Sequence, residues 1–559
     1  MSNKPWLRHY PAEVPPTFNY PTHNLAKFLV DSAANYPENI AIEFMGAKIN
    51  YRTLLDSCYR FANALLKLGI RKGERVAVML PNCPQAVIAY YGTLLMGGVV
   101  VMTNPLYMPR ELEHQLKDAD TRIIITLDVL AERVKKSMGE NWEDLNYILV
   151  ASIKDYLPFP KNVLYPIKAK KDGMHVKITY NQRVLSLKEQ LKEASSEPYD
   201  ADVDGERDLA LIQYTGGTTG FAKGVMLTHA NLVANTLQTQ LWFYRGRIAQ
   251  EKYLAALPFF HVFGMTVLLN KAVHTAGTLI LMPRFEVEQI LKAIDRQKPT
   301  VFPGAPTMYV AIINHPEVRK YNLSSIDVCI SGAAPLPLEV QTRFEALTGG
   351  KLIEGYGLTE ASPVTHANNI WEKRKSGSIG IPFPDTEARI VIPDTLEDVE
   401  PGEVGELAVR GPQVMKGYWK RPEDTYKTLK EGWLLTGDLG RMDEDGFFYI
   451  LDRRKDLIIA GGYNIYPREV EEVLFEHPDV AEAIVAGVFD PYRGETVKAY
   501  VVLRSGAAPD EDSLKQWCKE KLAAYKVPKI YEFRESLPKT LAGKVLRRKL
   551  IEEEGEKPE

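Results

Sequence analysis

Apolar positions along the first four hundred residues alternate between helical and strand spacing. From Asn50 to Leu68 apolar side chains recur at helical intervals, and Gly69 follows where a C-terminal cap is expected. Short continuous apolar runs lie between such helices, as at Arg75–Leu80 and Leu209–Ile212. Strands that are apolar on both faces are typical of parallel sheets covered by helices. The pattern predicts a large α/β N-terminal domain with mostly parallel sheets covered by helices.

Residues 153–207 interrupt this alternation with a stretch rich in Lys, Pro and Tyr. We interpret the stretch first as a solvated insertion. The alternative is a contact with a membrane surface, because apolar and aromatic side chains stand among its lysines. These side chains are Leu157, Phe159, Leu164 and Tyr165.

The pattern changes again near residue 452, where shorter helices and strands begin. The predicted elements are a helix from Pro467, strands at Ala483–Val488 and Val497–Leu503, and helices at Ser513–Tyr525 and near Lys544–Glu553. These elements are enough to form a separate small α+β domain. We therefore predict an N-terminal domain over residues 1–451 and a mobile C-terminal lid over residues 452–559.

Composition narrows the class of protein. Of 559 residues, 45% are hydrophobic and 25% charged, which excludes general disorder, and a net charge of −3 gives no overall attraction for nucleic acid. The four cysteines form no CxxC pair, so we expect neither a zinc site nor disulfides. The first ten residues contain no apolar core of a signal peptide, and the apolar stretch 264–282 is interrupted by polar residues and is predicted to be buried core. A cytoplasmic location, with possible peripheral contact to a membrane, is the expectation.

The most informative stretch follows the predicted strand that ends near Tyr214. Its glycines let backbone N–H groups approach an anion, its hydroxyls add donors, and a lysine adds positive charge. The residues concerned are Thr215, Gly216, Gly217, Thr218, Thr219, Gly220 and Lys223. The spacing is not that of a Walker A loop, since Gly224 follows the lysine. The loop predicts a binding site for a polyphosphate.

The segment Tyr214–Gly224 resembles the phosphate loop of the adenylate-forming enzymes, which include acyl-CoA synthetases, adenylation domains and luciferases. Two positions depart from the commonest form, which has Ser where Gly216 stands and Pro where Ala222 stands. The variant with Gly and Ala is similar to that of bacterial long-chain fatty acid–CoA ligases. Further motifs of the superfamily follow in order, and the resemblance extends from about Leu25 to Lys549.

The resemblance implies roles for residues in these motifs. In Glu354–Glu360, Tyr356 would stack on adenine, Thr359 would contact the α-phosphate, and Glu360 would bind Mg²⁺ together with Thr215. The remaining implied nucleotide contacts are Asp438 with the ribose hydroxyls, Arg453 with the nucleotide, and Gly332 and Ala333 with the adenine pocket.

The resemblance also assigns residues around the lid. Lys455 would be the hinge, Gly462 would lie beside the pantetheine arm of CoA, and Lys544 would be the catalytic lysine, acting with Lys223. His261, in Phe259–Gly264, would line the mouth of the acyl site, or would be a structural histidine.

The implied activity is the ATP- and Mg²⁺-dependent ligation of a long-chain fatty acid to coenzyme A through an acyl-adenylate. A medium-chain or aryl acid is the alternative substrate. Three other functions are considered: an adenylation domain that feeds a carrier protein, a luciferase-type oxidation and a non-catalytic nucleotide-binding protein. The implied partners are fatty acid, ATP and CoA, with no nucleic acid, and a homodimer is possible because dimers are common in the superfamily.

Overall fold

The computed structural model describes residues 4–139, 145–171, 176–215, 222–400, 402–460, 463–490, 493–540 and 543–555. Within these ranges we number strands and helices in chain order. The strands of the first half are β1 Ile40–Phe44, β2 Ala47–Asn50, β3 Arg75–Met79, β4 Val99–Met102, β5 Thr121–Leu127, β6 Tyr147–Ala151, β7 Val184–Ser186, β8 Leu209–Thr215, β9 Lys223–Thr228, β10 Lys252–Ala255 and β11 Thr278–Leu281.

The strands of the second half are more often antiparallel than those of the first. They are β12 Val328–Ser331, β13 Lys351–Gly357, β14 Val364–Ala367, β15 Ile381–Pro382, β16 Glu387–Val391, β17 Gly405–Arg410, β18 Gly417–Tyr418, β19 Leu429–Lys430, β20 Trp433–Met442, β21 Phe448–Arg453, β22 Ile458–Ala460, β23 Tyr463–Ile465, β24 Val480–Asp490, β25 Gly494–Leu503 and β26 Ile530–Phe533.

Helices pack on the sheets of both the large segment and the lid. They are α1 Lys27–Asn35, α2 Tyr51–Lys67, α3 Pro84–Leu95, α4 Pro109–Asp118, α5 Ala131–Met138, α6 Lys161–Lys171, α7 Leu187–Glu193, α8 His229–Trp242, α9 Val262–Gly264, α10 Lys271–His274, α11 Val287–Gln297, α12 Pro306–Ile313, α13 Leu338–Thr348, α14 Pro422–Thr428, α15 Pro467–Phe475, α16 Glu511–Lys521 and α17 Arg547–Gly555. A π-helical segment, Met265–Asn270, joins α9 to α10.

Two mixed sheets form the centre of the large segment. The first has the order β18-β9-β8-β4-β3-β5-β6-β7, in which every pairing from β8 to β7 is parallel. In the second, β10 and β11 continue to β1, and isolated bridges through Val301 connect β10 to β12 and so to β13. Both match the predicted α/β architecture.

The predicted helix from Asn50 is confirmed, because α2 begins after Asn50, whose side chain accepts a hydrogen bond from the Thr53 amide. Gly69 has φ +87°, the left-handed conformation of a C-terminal cap. Cys58, on α2, is buried in the core, as the helical spacing predicts. The stretch 264–282 is also buried, as expected.

β14 and β15 continue from β13 in antiparallel pairing, and a further antiparallel sheet of the large segment has the order β16-β17-β20-β19, with β21 paired to β20. The lid segment has a separate sheet, β23-β22-β25-β24, with β26 added in parallel to β25. Its apolar core is its own and includes Val470, Val485, Val497 and Leu514. This composition of helices on a mainly antiparallel sheet is the α+β character expected for the C-terminal part.

Three sequence-based expectations need correction. The stretch 153–207 is not merely a solvated insertion, because β7 within it extends the first sheet beside β6. The helix predicted over Ser513–Tyr525 runs instead over Glu511–Lys521, where Asp510 caps its first turn. The last helix begins at Arg547, so Lys544 lies in the preceding turn rather than on a helix.

Among the described residues, no helix combines the length and the apolar character that crossing a bilayer would require.

Candidate active site

The two strands that flank the predicted phosphate loop form a hairpin. β8 ends at Thr215 and β9 begins at Lys223, and these two residues are cross-strand partners. The predicted loop residues Gly216, Gly217, Thr218, Thr219 and Gly220 lie outside the described residues. The hairpin brings the hydroxyl-bearing residue and the lysine at its two ends to the same place.

Lys223 lies in a small cluster with residues from distant parts of the chain. Its Nζ is 2.9 Å from Asp424 Oδ1 and 5.3 Å from the centre of the Tyr418 ring. Tyr418 OH donates a hydrogen bond of 2.8 Å to Oε1 of Glu360. The pairing of β18 with β9 positions Tyr418 here, opposite Val225. The structure therefore brings Lys223 and Glu360 together through one tyrosine.

The central motif begins in β13 and continues into a short 3₁₀ turn, Thr359–Ala361. The carbonyl oxygen of Glu360 accepts a hydrogen bond of 2.8 Å from the Met415 amide, which holds the turn against the segment leading to β18. Thr359 opens this turn, immediately beside Glu360. Thr359 and Glu360 are therefore linked to Lys223 through Tyr418.

Tyr356, Asp438 and Arg453 form a second group. Tyr356 OH donates a hydrogen bond of 2.5 Å to Oδ2 of Asp438, and Arg453 Nε lies 3.4 Å from Asp438 Oδ1. Asp438 and Arg453 are cross-strand partners in β20 and β21, so the register of that hairpin fixes their contact. Burial, together with the negative charge of Asp438, holds the pKa of Tyr356 well above its usual value. The phenol is therefore a hydrogen-bond donor at any physiological pH.

His261 caps the helix that begins with α9, since its Nδ1 accepts a hydrogen bond of 3.4 Å from the Phe263 amide. Burial, and secondarily the positive charge of Lys544, lowers the pKa of His261 to about 4. The imidazole is therefore neutral at pH 7. The effect of Lys544 shows that the lid brings its lysine towards this part of the large segment.

Gly332 and Ala333 follow β12 at the edge of the same region. A Cβ atom on Gly332 would lie 2.9 Å from the ring of Phe263, so a larger residue would displace that ring. Ala333 has φ +69°, which few residues with side chains adopt. Close packing of this backbone against Phe263 is consistent with the wall of a pocket.

The turn that carries Lys544 contacts the large segment directly. Thr307 Oγ1 donates a hydrogen bond of 3.2 Å to the carbonyl oxygen of Gly543, and a Cβ on Gly543 would lie 3.0 Å from Ala305 Cβ. Gly543 has φ +83°, so glycine suits this position both in space and in backbone conformation. Within the turn, Thr540 Oγ1 accepts a hydrogen bond of 3.1 Å from the Lys544 amide.

The predicted hinge lies in a 3₁₀ turn, Arg454–Asp456, which contains the backbone of Lys455 and follows β21. Nη1 of Arg454 is 2.7 Å from Oδ2 of Asp394, which lies in the turn after β16. Gly462, predicted to lie beside CoA, is outside the described residues.

Sequence reasoning missed Tyr418 and Asp424. Tyr418 and Trp419 form an aromatic pair directly after Gly417, and this pattern could have drawn attention to the position. Nothing in the neighbouring sequence connects Tyr418 to Glu360. The contact exists only because β18 pairs with β9, and such long-range pairing cannot be read from a single segment.

Comparison with known proteins decides the family. A family model described as AMP-binding enzyme matches residues 29–419, and a second, described as AMP-binding enzyme C-terminal domain, matches residues 469–544. The chain belongs to the AMP-binding enzyme family. The resemblance to adenylate-forming enzymes that the motifs indicate is thereby confirmed.

Full-length relatives of this AMP-binding enzyme have been named. The long-chain-fatty-acid–CoA ligase of Bacillus subtilis (strain 168) is 53% identical over 557 residues, which cover 100% of this chain and 99% of that protein. The long-chain-fatty-acid–CoA ligase of Escherichia coli O157:H7 is 39% identical over 557 residues, 98% of each chain. Among solved structures, the anthranilate CoA ligase AuaEII in complex with anthranoyl-AMP has a TM-score of 0.84 and 28% identity, covering 95% of this chain and 96% of that one.

Proposed function

We propose that this AMP-binding enzyme ligates a long-chain fatty acid to coenzyme A through an acyl-adenylate, consuming ATP and releasing AMP and pyrophosphate. The observation that carries the proposal is the convergence of three groups from separate motifs. Lys223 lies beside Tyr418, which bonds Glu360, Tyr356 bonds Asp438, and the turn that carries Lys544 contacts the large segment through the bond from Thr307 to Gly543. The names of the full-length relatives support the choice of acid.

In the first half-reaction a carboxylate oxygen of the fatty acid attacks the α-phosphorus of ATP, and the bond to pyrophosphate breaks. Negative charge grows on the phosphate oxygens, so fixed positive charges and hydrogen-bond donors lower the barrier. Lys223 and Lys544 would supply the charges, Tyr356 would stack on adenine, and Asp438 would accept hydrogen bonds from the ribose. Asp438 Oδ2 already accepts a bond from Tyr356, which orients the carboxylate.

Mg²⁺ fits the donor set at the phosphate end of the site. This ion takes oxygen ligands and is commonly bound by one or two carboxylates together with substrate phosphates. Glu360 offers a carboxylate held in place by Tyr418, and Thr215 offers a hydroxyl at the end of β8. We assign these two residues to the ion, which when bound would neutralise charge on the phosphates.

In the second half-reaction the sulfur of CoA, having lost its proton, attacks the acyl carbonyl and AMP leaves. Lys544 would occupy space needed by the thiol. A rotation of the lid about Lys455 would withdraw Lys544 and bring Gly462 towards the site, a hinge motion of a common kind. The cysteines are all buried, and none lies in these motifs, so no acyl-enzyme intermediate is proposed.

The acyl chain would pack along the helix that follows His261. Phe259 and Ala305 belong to the same buried apolar cluster as this helix, and Phe302 is buried in a neighbouring cluster. The π-helical segment Met265–Asn270 interrupts the regular hydrogen bonding of the helix. Such segments occur often at functional sites. The apolar surroundings suit an alkyl chain, whereas a medium-chain or aryl acid is the alternative substrate.

A panel of acids tests the substrate. Acetate, octanoate, palmitate, an eighteen-carbon acid and coumarate are each supplied with ATP, Mg²⁺ and CoA, and AMP formation is measured. The proposal expects the highest kcat/KM with the longest chains. A preference for coumarate or octanoate would contradict it, and absence of pyrophosphate release with every acid would favour a non-catalytic nucleotide-binding protein.

We further propose that the helix α6 contacts the surface of an anionic membrane. Phe159, just before the helix, has an exposed fraction of 82%, and Val163 and Ile167 on the helix have exposed fractions of 62% and 68%. Lys161, Lys170 and Lys171 on the same short helix are exposed and supply positive charge. Of the residues expected from the sequence, Phe159 and Leu164 are exposed, whereas Leu157 is buried.

Sedimentation with lipid vesicles tests this contact. The double variant Phe159→Ser/Ile167→Ser should lose binding to vesicles that contain phosphatidylglycerol, and binding by the unchanged enzyme should weaken with added salt. The control Ile392→Ser changes an exposed apolar residue elsewhere on the surface. Equal binding by all three proteins would refute the proposed contact. We also expect a homodimer, which sedimentation analysis of the enzyme without lipid can test.

A further inference from the structure

One side chain of the lid is buried against the large segment. Arg468, in the first turn of α15, donates hydrogen bonds to the carbonyl oxygens of Ile450, at 2.7 Å, and Gly377, at 3.5 Å. Its Nη2 lies 3.7 Å from Oε1 of Glu354, and the two side chains are only 9% and 7% exposed. Its Nε bonds Glu472 within the lid at 3.0 Å. One arginine thus joins the lid to three places on the large segment.

Glu354 is the first residue of the motif that contains Tyr356 and Glu360. Its backbone is held by β13 and by a hydrogen bond of 3.0 Å from the Asn368 amide to its carbonyl oxygen. The lid therefore holds the same strand that carries the predicted nucleotide residues. A second ion pair, Arg504 with Glu339 at 2.9 Å, crosses the same face.

The contact made by Arg468 is connected mechanically to Lys544. Glu471, on the next turn of α15, bonds Nη2 of Arg547 at 2.8 Å, and Arg547 is the first residue of α17. Arg547 Nη1 also bonds Asp456, beside the hinge, at 2.9 Å. These buried ion pairs make α15, the hinge turn and the segment after Lys544 one unit. Contacts that fix the position of Arg468 therefore also fix the position of Lys544.

We propose that Arg468 and Glu354 form a latch, which holds the lid in the orientation for acyl-adenylate formation and must open before thioester formation. The inference rests on the proposed two half-reactions. A rotation about Lys455 would carry Arg468 away from Ile450, Gly377 and Glu354, because these belong to the large segment. Arg468 is a positioning residue, since it reaches the reaction only through the lid. Burial raises the pKa of Glu354 to about 7 and the charge of Arg468 opposes that rise, so the carboxylate is more stable while the lid stays docked.

The half-reactions, measured separately, test the latch. For Arg468→Gln we expect acyl-AMP formation, followed as pyrophosphate release without CoA, to be slowed about tenfold, a moderate change in barrier. Thioester formation from supplied acyl-AMP should change less than about twofold. Arg468→Lys should recover part of the first rate, and Glu354→Gln combined with Arg468→Gln should lose little beyond either single variant.

The matched control is Arg534→Gln, because Arg534 pairs with Glu532 and Glu553 within the lid and does not reach the large segment in the described contacts. It should leave both half-reactions near those of the unchanged enzyme. Equal slowing of both half-reactions by Arg468→Gln, or no slowing of either, would overturn the latch.

A measurement without substrates separates failure of the latch from failure of the proposed function. The four native cysteines are buried, so fluorophores attached to Arg319→Cys and Lys519→Cys report the distance from the large segment to the lid. Arg468→Gln should broaden the distribution of energy transfer or add a second population, and Arg534→Gln should not. Identical distributions for both variants would refute the latch, whatever acid the enzyme uses.

Discussion

His261 and Lys544 connect the large segment and the lid electrostatically at the residue scale. Burial is the larger cause of the low pKa of His261, and the charge of Lys544 lowers it further, to about 4. Because both effects disfavour the imidazolium, the ring stays neutral as the pH falls from 8 to 5. It gains its proton only as the pH approaches 4.

Removing the charge of Lys544 should therefore raise the pKa of His261, although burial will still keep it below 6.5. Imidazole C–H resonances, assigned with a His261→Gln variant, can be followed against pH in the unchanged enzyme and in Lys544→Ala. Coincident titration curves in the two proteins would mean that the lysine does not reach this site in solution.

Tyr418 is the residue that the structure adds to the predicted site. Its hydroxyl donates to the Glu360 carboxylate, and a hydrogen bond to a charged group contributes about 1.5–3 kcal/mol. Tyr418→Phe should raise the Mg²⁺ concentration for half-maximal pyrophosphate release about tenfold, the effect of about 1.4 kcal/mol. Tyr426→Phe, which changes an exposed tyrosine on α14, is the control. An unchanged Mg²⁺ dependence would show that Tyr418 does not orient Glu360.

At the scale of elements, the hinge turn Arg454–Asp456 is expected to absorb the rotation of the lid. Proline fixes φ and restricts the residue before it, so Lys455→Pro should hinder a change in the turn. We expect thioester formation from supplied acyl-AMP to fall more than acyl-AMP formation does. The two rates, measured in single turnovers, check this, and a uniform loss would mean that Lys455 is not the pivot.

Local patterns predicted the elements that depend on local forces. The apolar periodicity and the asparagine cap of α2 belong to one segment, as do the apolar runs of β3 and β8, so each could be recognised in isolation. The edge strand β7 was missed because three residues carry little pattern. The helix expected near Lys544 begins only at Arg547, because Lys544 lies in a turn closed by a backbone hydrogen bond between Thr540 and Lys544, which apolar periodicity does not reveal.

In the candidate site, too, the sequence predicts features that depend on local motifs and does not predict contacts between distant segments. Motif order identified Lys223, Glu360, Tyr356, Asp438 and Lys544 as candidates, and the structure brings the first two and the next two into contact networks. The contacts through Tyr418 and through Arg468 join segments far apart in the chain. They follow from strand pairing and lid docking, which no single stretch of sequence specifies.

For the molecule as a whole, the lid lies with Lys544 towards the site. Gly543 contacts Thr307, and Arg468 and Arg504 form ion pairs with the large segment. This orientation suits the proposed acyl-adenylate half-reaction, in which Lys544 would act near the phosphates. The proposed thioester half-reaction would need another orientation, so Lys544 should matter to one half of the reaction only.

The most direct measurement is a single-turnover comparison of Lys544→Ala with the unchanged enzyme. Palmitate, ATP and Mg²⁺ are mixed with enzyme to measure acyl-AMP formation, and supplied palmitoyl-AMP and CoA are mixed with enzyme to measure thioester formation. The account predicts that the variant almost loses the first reaction and retains the second. Equal loss of both reactions, or an undiminished first reaction, would contradict it.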